Sequence, residues 1–253
     1  MLGTQRTGRV VVATLSRPPV NALTEELLIR LDAVLDEVAA DDEITVLHIR
    51  SDQKAFCAGA DLSLMQSCFA TPEGTEAMIA VVRRMQRLFE RLENANVVTL
   101  AEVGGAALGG GLELALACDL RVAAAEAKLG LPEAGLGLVP AAGGTQRLTR
   151  LCGPGIARRL ILGAEVIDGT RAAELGVVQW VHPREHLAAR AAELAARIAA
   201  IPKAALAANK RCIAAQGDPR RDGFAEEIAA TRILYGHSET RAKVSEFLDK
   251  GTN

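Results

Sequence analysis

The segment that most constrains this chain runs from Asn96 to Cys118. Asn96 to Val103 is an apolar, β-branched run that reads as a strand, and it feeds directly into Gly109-Gly110-Gly111. Leu112-Glu113-Leu114-Ala115-Leu116-Ala117-Cys118 follows with apolar side chains all round. A helix without a polar face is buried on every side, so the rest of the chain has to enclose it. With 253 residues the chain is long enough for one large domain, or for a core with an appendage.

Glu113 is the one charge in that helix. A carboxylate in the first helical turn gains about 0.3–1 kcal/mol from the helix dipole. An ionised carboxylate buried without a partner costs several kcal/mol, or else its pKa rises. The cost outweighs the gain, and proton chemistry explains the residue better than folding does. A second carboxylate, Glu133, follows twenty residues later in Gly130-Leu131-Pro132-Glu133. Taken alone, a glutamate after proline in a loop is better explained by solvation.

The chain around this segment alternates. Val10 to Leu15 is a strand, stopped by Arg17-Pro18-Pro19. Thr24 caps a helix in which Leu27, Leu28, Leu31, Val34, Leu35 and Val38 recur at helical spacing, with Glu25 and Glu26 at its positive end. Ile44 to Ile49 is the next strand. Gln66 to Thr75, with Pro72 and Gly74 and no period, reads as a mobile loop. Glu76 to Glu93 is an amphipathic helix, and Leu120 to Ala123 a short strand. From about Arg150 onward the pattern is helical, apart from a strand at Val177 to Val181. Breaks fall at Pro202, Gly217-Asp218-Pro219 and Gly236. Alternating strands and helices followed by helices alone imply an α/β core with a helical C-terminal appendage.

Composition excludes several classes of function. The net charge of −2 gives no electrostatic case for nucleic acid or an anionic membrane surface. No apolar run approaches membrane-spanning length, and the N-terminus lacks the apolar core of a signal peptide. The five cysteines are odd in number and widely spaced, offering no zinc spacing. The expectation is a cytoplasmic protein with no bound metal.

The glycine triplet lies where a strand ends and a helix starts, a place that suits a phosphate or a developing oxyanion. It serves equally as a tight turn. No Lys-Ser/Thr follows to make a phosphate loop, and the glycines do not form GxGxxG. Gly59-Ala60-Asp61 is a second glycine-centred turn, whose plain reading is a helix cap at Asp61. A backbone N–H there facing one from the triplet would make a two-donor oxyanion hole. His48, His182, His186 and His237 are scattered, and no Gly-x-Ser-x-Gly elbow presents a serine.

Together, Phe56-Cys57-Ala58-Gly59-Ala60-Asp61-Leu62, Ala107 to Ala115, Pro132-Glu133 and Gly143-Gly144-Thr145-Gln146-Arg147-Leu148 resemble the enoyl-CoA hydratase/isomerase (crotonase) superfamily. The resemblance starts at Arg17-Pro18-Pro19-Val20-Asn21-Ala22-Leu23 and covers essentially the whole chain. It implies a crotonase-like spiral of β-β-α units over residues 1–195 and a helical oligomerisation region over 196–253. The implied assembly is a homotrimer or a dimer of trimers. It also implies an oxyanion hole from the N–H groups of Ala60 and Gly110, with Glu113 as base and Glu133 as acid in hydration of a 2-enoyl-CoA. Ala58, Asp61, Leu62, Gly109, Pro132 and Ala141 would lie against the acyl-CoA. Lys54 would lie near its phosphates, and Lys250 would reach a neighbouring subunit's ligand. No cofactor is implied beyond the coenzyme A of the substrate. Three positions depart from the family pattern: Ser63 where a basic residue is common, Leu131 where Gln is common, and Ala141 where Gly is common. The other readings are an isomerase using Glu133 alone and a non-catalytic acyl-CoA- or RNA-binding relative.

Overall fold

The computed structural model describes residues 2–61, 65, 66, 68 and 71–251. In chain order β1 (Leu2–Thr7) and β2 (Val10–Leu15) precede α1 (Glu25–Ala40), β3 (Val46–Ser51), β4 (Ala55–Cys57) and α2 (Pro72–Glu93). Then come β5 (Val98–Val103), β6 (Ala106–Leu108), α3 (Gly110–Ala117), β7 (Leu120–Ala124), β8 (Lys128–Gly130) and a 3-10 turn at Pro132–Leu136. The chain continues through α4 (Gly144–Leu162), β9 (Val166–Asp168), α5 (Gly169–Glu174), β10 (Trp180–His182), α6 (Arg184–Ala199), α7 (Lys203–Ala215), α8 (Gly223–Gly236) and α9 (Ser238–Gly251).

Two sheets share these strands. The larger has the order β1-β2-β3-β5-β7-β10 and the smaller β4-β6-β8-β9. Consecutive strands alternate between sheets: β3, β5 and β7 enter the larger, while β4, β6 and β8 enter the smaller beside them. Each strand pair is followed by helical structure, so the chain advances as stacked β-β-α turns. Pairing is parallel along β2-β3-β5-β7-β10 and along β4-β6-β8, whereas β1-β2 and β8-β9 are antiparallel.

Local sequence rules account for the helices. Thr24 accepts the Leu27 N–H at the start of α1, and all six residues of its predicted stripe are buried. Every residue of α3 is buried, as its lack of a polar face requires. It packs against α2, α4, β4 and β6, while α6 lies across the larger sheet. Lys203 donates to the Asp41 carbonyl at 3.1 Å, and Lys210 to Asp119 at 2.7 Å and the Val97 carbonyl at 3.1 Å, which ties α7 to the core. Helix α8 buries no residue, and Phe224, Tyr235 and Phe247 on α8 and α9 are 83%, 73% and 76% exposed.

Several expectations are corrected. The loop expected over Gln66 to Thr75 ends earlier, because α2 begins at Pro72: Thr71 accepts the Gly74 N–H, and proline needs no hydrogen-bond acceptor at a first helical position. The expected strands Ile44–Ile49 and Val177–Val181 start later, at Val46 and Trp180. The N-terminal residues form β1, an edge strand with five of six residues exposed and hence no hydrophobic alternation to read. Among the described residues no helix is long and apolar enough to cross a membrane.

Candidate active site

Strands β4, β6 and β8 are parallel neighbours and end at one edge of the smaller sheet. β4 runs into Ala58-Gly59-Ala60, β6 into Gly109-Gly110, and β8 into Leu131-Pro132-Glu133. Residues far apart in sequence thus meet at one rim. Gly59 has φ +91°, and a Cβ there would stand 2.9 Å from the Leu108 carbonyl oxygen and 3.2 Å from the Gly110 nitrogen. Gly109 has φ +53°, and a Cβ there would meet Glu133 Oε1 at 2.9 Å. A Cβ at Gly111 would lie 1.9 Å from the Cys57 carbonyl oxygen, so only glycine lets α3 start this close to β4.

Two N–H groups remain for a ligand at this rim. The segment 20–23 runs beside 58–60: Ala58 N–H donates to the Val20 carbonyl at 3.0 Å, and Leu23 N–H to the Gly59 carbonyl at 2.8 Å. Those bonds leave the Ala60 N–H without an acceptor among the described residues. Gly110 is the first residue of α3, where the N–H has no intrahelical partner. Asn21 fixes the 20–23 segment. Its buried amide donates to the Ser51 hydroxyl at 2.7 Å and to the Ala55 and Phe56 carbonyls at 3.3 and 3.0 Å, and its Oδ1 accepts the Arg17 N–H.

Both glutamates reach the same place. Glu113 is 2% exposed, and its Oε1 accepts the Gly144 N–H at 2.7 Å. Burial pushes its pKa up to about 7; the Gly144 hydrogen bond opposes that rise and the charge of Glu133 adds to it. Leu131, fully buried, is part of the dry wall: its Cδ1, like Glu113 Cγ and Oε1, stands 3.0 Å from where a Gly144 Cβ would be. Burial also raises the pKa of Glu133, whose Oε2 is buried with no hydrogen-bond partner among the described residues.

The remaining expected positions divide into three groups. Ala58, Gly109 and Pro132 belong to the rim, and Ala141 lies in the turn before α4, where its carbonyl accepts from Gln86 at 2.6 Å. Asp61 follows Ala60 and pairs with Arg17 at 3.6 Å. Lys54 is exposed in the turn before β4, and Lys250 is exposed on α9, where it bonds Glu246 at 2.7 Å. Leu62 and Ser63 lie outside the described residues. The histidines do not join the site; His48 approaches Glu102 to 2.9 Å within the larger sheet, without hydrogen-bond alignment.

A cavity of about 480 Å³ opens at the other end of α3, lined by Cys118, Asp119, Leu151, Leu206, Lys210 and Ile213 among others. Its charged groups are already paired, Lys210 with Asp119 and Arg150 with Glu93, so it offers binding volume without reactive groups. The two carboxylates of raised proton affinity lie at the rim instead.

A family model described as enoyl-CoA hydratase/isomerase matches residues 5–252. The chain belongs to this family. It is similar to the short-chain-enoyl-CoA hydratase of Clostridium acetobutylicum, 38% identical over 83% of this chain and 79% of that protein. It is also similar to the 2,3-dehydroadipyl-CoA hydratase of Escherichia coli, 37% identical over 98% and 95% of the two chains. Among solved structures, an enoyl-CoA hydratase from Bacillus anthracis superposes with a TM-score of 0.91, at 32% identity over 98% of this chain and 96% of that one. The fold is the crotonase fold implied by the motifs, with a helical C-terminal region. For this family member, sequence reasoning named the rim but missed Asn21 and Arg147 as its supports. Both stand inside the quoted motifs, yet a motif does not say which carbonyls a side chain will hold.

Proposed function

We propose that this chain hydrates 2-trans-enoyl-CoA thioesters to 3-hydroxyacyl-CoA. One observation carries the reading: two carboxylates with raised proton affinity converge beside two N–H groups that lack acceptors. The thioester carbonyl oxygen would accept from Ala60 and Gly110, so that charge moving onto it as water attacks the β-carbon is stabilised. Each such donor contributes on the order of 3 kcal/mol. One carboxylate takes a proton from the attacking water and the other delivers one to the α-carbon. The hydroxyl and the hydrogen add across the double bond, and the pair holds one proton before and after.

Such a pair titrates as a unit, and its singly protonated form is competent whichever oxygen holds the proton. Activity is then bell-shaped in pH, with the upper limb near the higher pKa of about 7. Hydration needs no cofactor beyond the coenzyme A of the substrate. Residues 1–195 supply this site. Residues 196–253, with Phe224, Tyr235 and Phe247 exposed, form the oligomerisation region of a homotrimer or dimer of trimers, through which Lys250 reaches a neighbour's coenzyme A.

The test is loss of the ultraviolet absorbance of crotonyl-CoA, with Glu113→Gln and Glu133→Gln assayed alongside. Both variants are expected to lose hydration. Undiminished hydration by Glu113→Gln would sink the two-carboxylate mechanism. Isomerisation of a 3-enoyl-CoA by that variant would instead support Glu133 as a lone proton shuttle. Phe224→Asp with Phe247→Asp is expected to shift the assembly toward the 26.6 kDa single chain in light scattering.

A further inference from the structure

A line of hydrogen bonds connects α2 to Glu113 without touching the reacting atoms. The Gly144 N–H that donates to Glu113 Oε1 belongs to the turn 141–144, which contains two glycines and has little stiffness of its own. The turn is held from outside at two successive carbonyls. Gln86 Nε2 donates to the Ala141 oxygen at 2.6 Å, and Arg147 Nη1 to the Ala142 oxygen at 3.0 Å. Arg147 is 9% exposed, and its Nε and Nη2 stand 3.0 and 2.9 Å from Glu93 Oε2. Gln86 and Glu93 lie two helical turns apart on α2, and so on one face of it. Gly143 has φ +109°, and a Cβ there would lie 2.1 Å from Arg147 Nη1: the guanidinium occupies the space that a side chain would need.

We propose that Arg147, anchored by Glu93, is a positioning residue that holds the 141–144 turn so that the Gly144 N–H faces the Glu113 carboxylate. The inference rests on Glu113 being one of the two proton-handling carboxylates. A hydrogen bond to the carboxylate favours its ionised form. The charged groups whose fields reach Glu113 are Glu133, which raises its proton affinity, and Arg147, which lowers it. Loosening the turn therefore raises the proton affinity of Glu113 and carries the upper limb of the pH profile to higher pH.

The experiment is the pH profile of kcat/KM for crotonyl-CoA hydration in the wild type, Arg147→Gln, Arg147→Lys, Glu93→Ala and Glu113→Gln. In Arg147→Gln the upper limb is expected to move up by roughly one pH unit, the scale of one charge-assisted hydrogen bond. Arg147→Lys keeps the charge and a single donating nitrogen, so its limb should return toward the wild-type position. Glu93→Ala separates positioning from through-space charge. Removing that anion strengthens the field of Arg147 and alone would move the limb down, whereas a loosened turn moves it up. An upward shift in Glu93→Ala supports the inference. A downward shift there overturns it, as does a limb that stays in place in both variants while Glu113→Gln is inactive. Wild-type hydration by Glu113→Gln would overturn the catalytic reading, and this inference with it. Should Arg147→Gln yield no soluble protein, Glu93→Ala and Gln86→Leu decide by the same criteria.

Discussion

Both ends of α3 bury a charge, and the protein treats the two in opposite ways. Just past the C-terminal end, Arg121 is 2% exposed and surrounded by oxygen. Its guanidinium donates to the carbonyls of Val177 at 2.8 Å, Ala115 at 3.2 Å, Cys118 at 2.6 Å and Asp119 at 3.4 Å, and to Gln179 Oε1 at 3.3 Å. Two of those carbonyls close the last turn of α3, where a cation also suits the helix dipole. At the other end Glu113 is equally buried but has only backbone N–H groups for partners, that of Gly144 at 2.7 Å and that of Ala142 beside it, and it faces a second carboxylate. A buried ion with its hydrogen-bonding capacity filled is structural. One with spare capacity beside a like charge costs stability and gains reactivity.

Activity separates the two ends of α3 most sharply. Glu113→Gln should reduce hydration of crotonyl-CoA by about 10²–10⁴-fold, the range of a lost acid–base group. Arg121→Leu should leave kcat per folded molecule close to wild type, and a comparable loss of kcat there would erase the distinction.

Stability should respond in the reverse order. Arg121→Leu strands several buried carbonyl oxygens and is expected to cost on the order of 3 kcal/mol, read from denaturant midpoints. Glu113→Gln should stabilise the fold. Folding raises the Glu113 pKa to about 7, so burying its ionised form costs nothing well below the unfolded value of ~4.3 and the full amount above pH 7. The gain from Glu113→Gln is thus expected to be roughly 1–3 kcal/mol at pH 8 and far smaller at pH 5. Equal gains at both pH values would remove the electrostatic explanation.

The smallest effect sharpens the account of Glu113 itself. Leu131→Gln sets an amide in place of an apolar wall and should lower the upper limb of the pH–activity profile by about half a unit, the scale of a modest hydrogen bond. A profile that does not move would mean that Leu131 contributes little to the dryness of the site.

Legibility followed the range of the interactions. The cap at Thr24 and the stripe from Leu27 to Val38 involve residues three or four apart, and both stand where the periodicity puts them. The all-apolar surface of α3 announced its burial, and so announced Glu113 as an anomaly. The strands of the smaller sheet were not legible, since β4, β6, β8 and β9 are three residues each, too short for any pattern. Arg121 was passed over for a different reason. Its oxygen partners come from α3, the 177–179 segment and its own neighbours, and nothing local marks it as buried.

The sequence by itself determined that this chain would enclose a helix carrying one unneighbourly carboxylate, and that glycines would bare the backbone beside it. Those are consequences of side-chain polarity and of φ/ψ freedom, which belong to each residue. Only the tertiary structure decided that three strand ends share one rim and leave the N–H groups of Ala60 and Gly110 without acceptors. It alone also set α2, through Glu93 and Arg147, behind the turn that donates to Glu113. Such contacts join residues tens of positions apart, and their geometry comes from packing that no local stretch encodes.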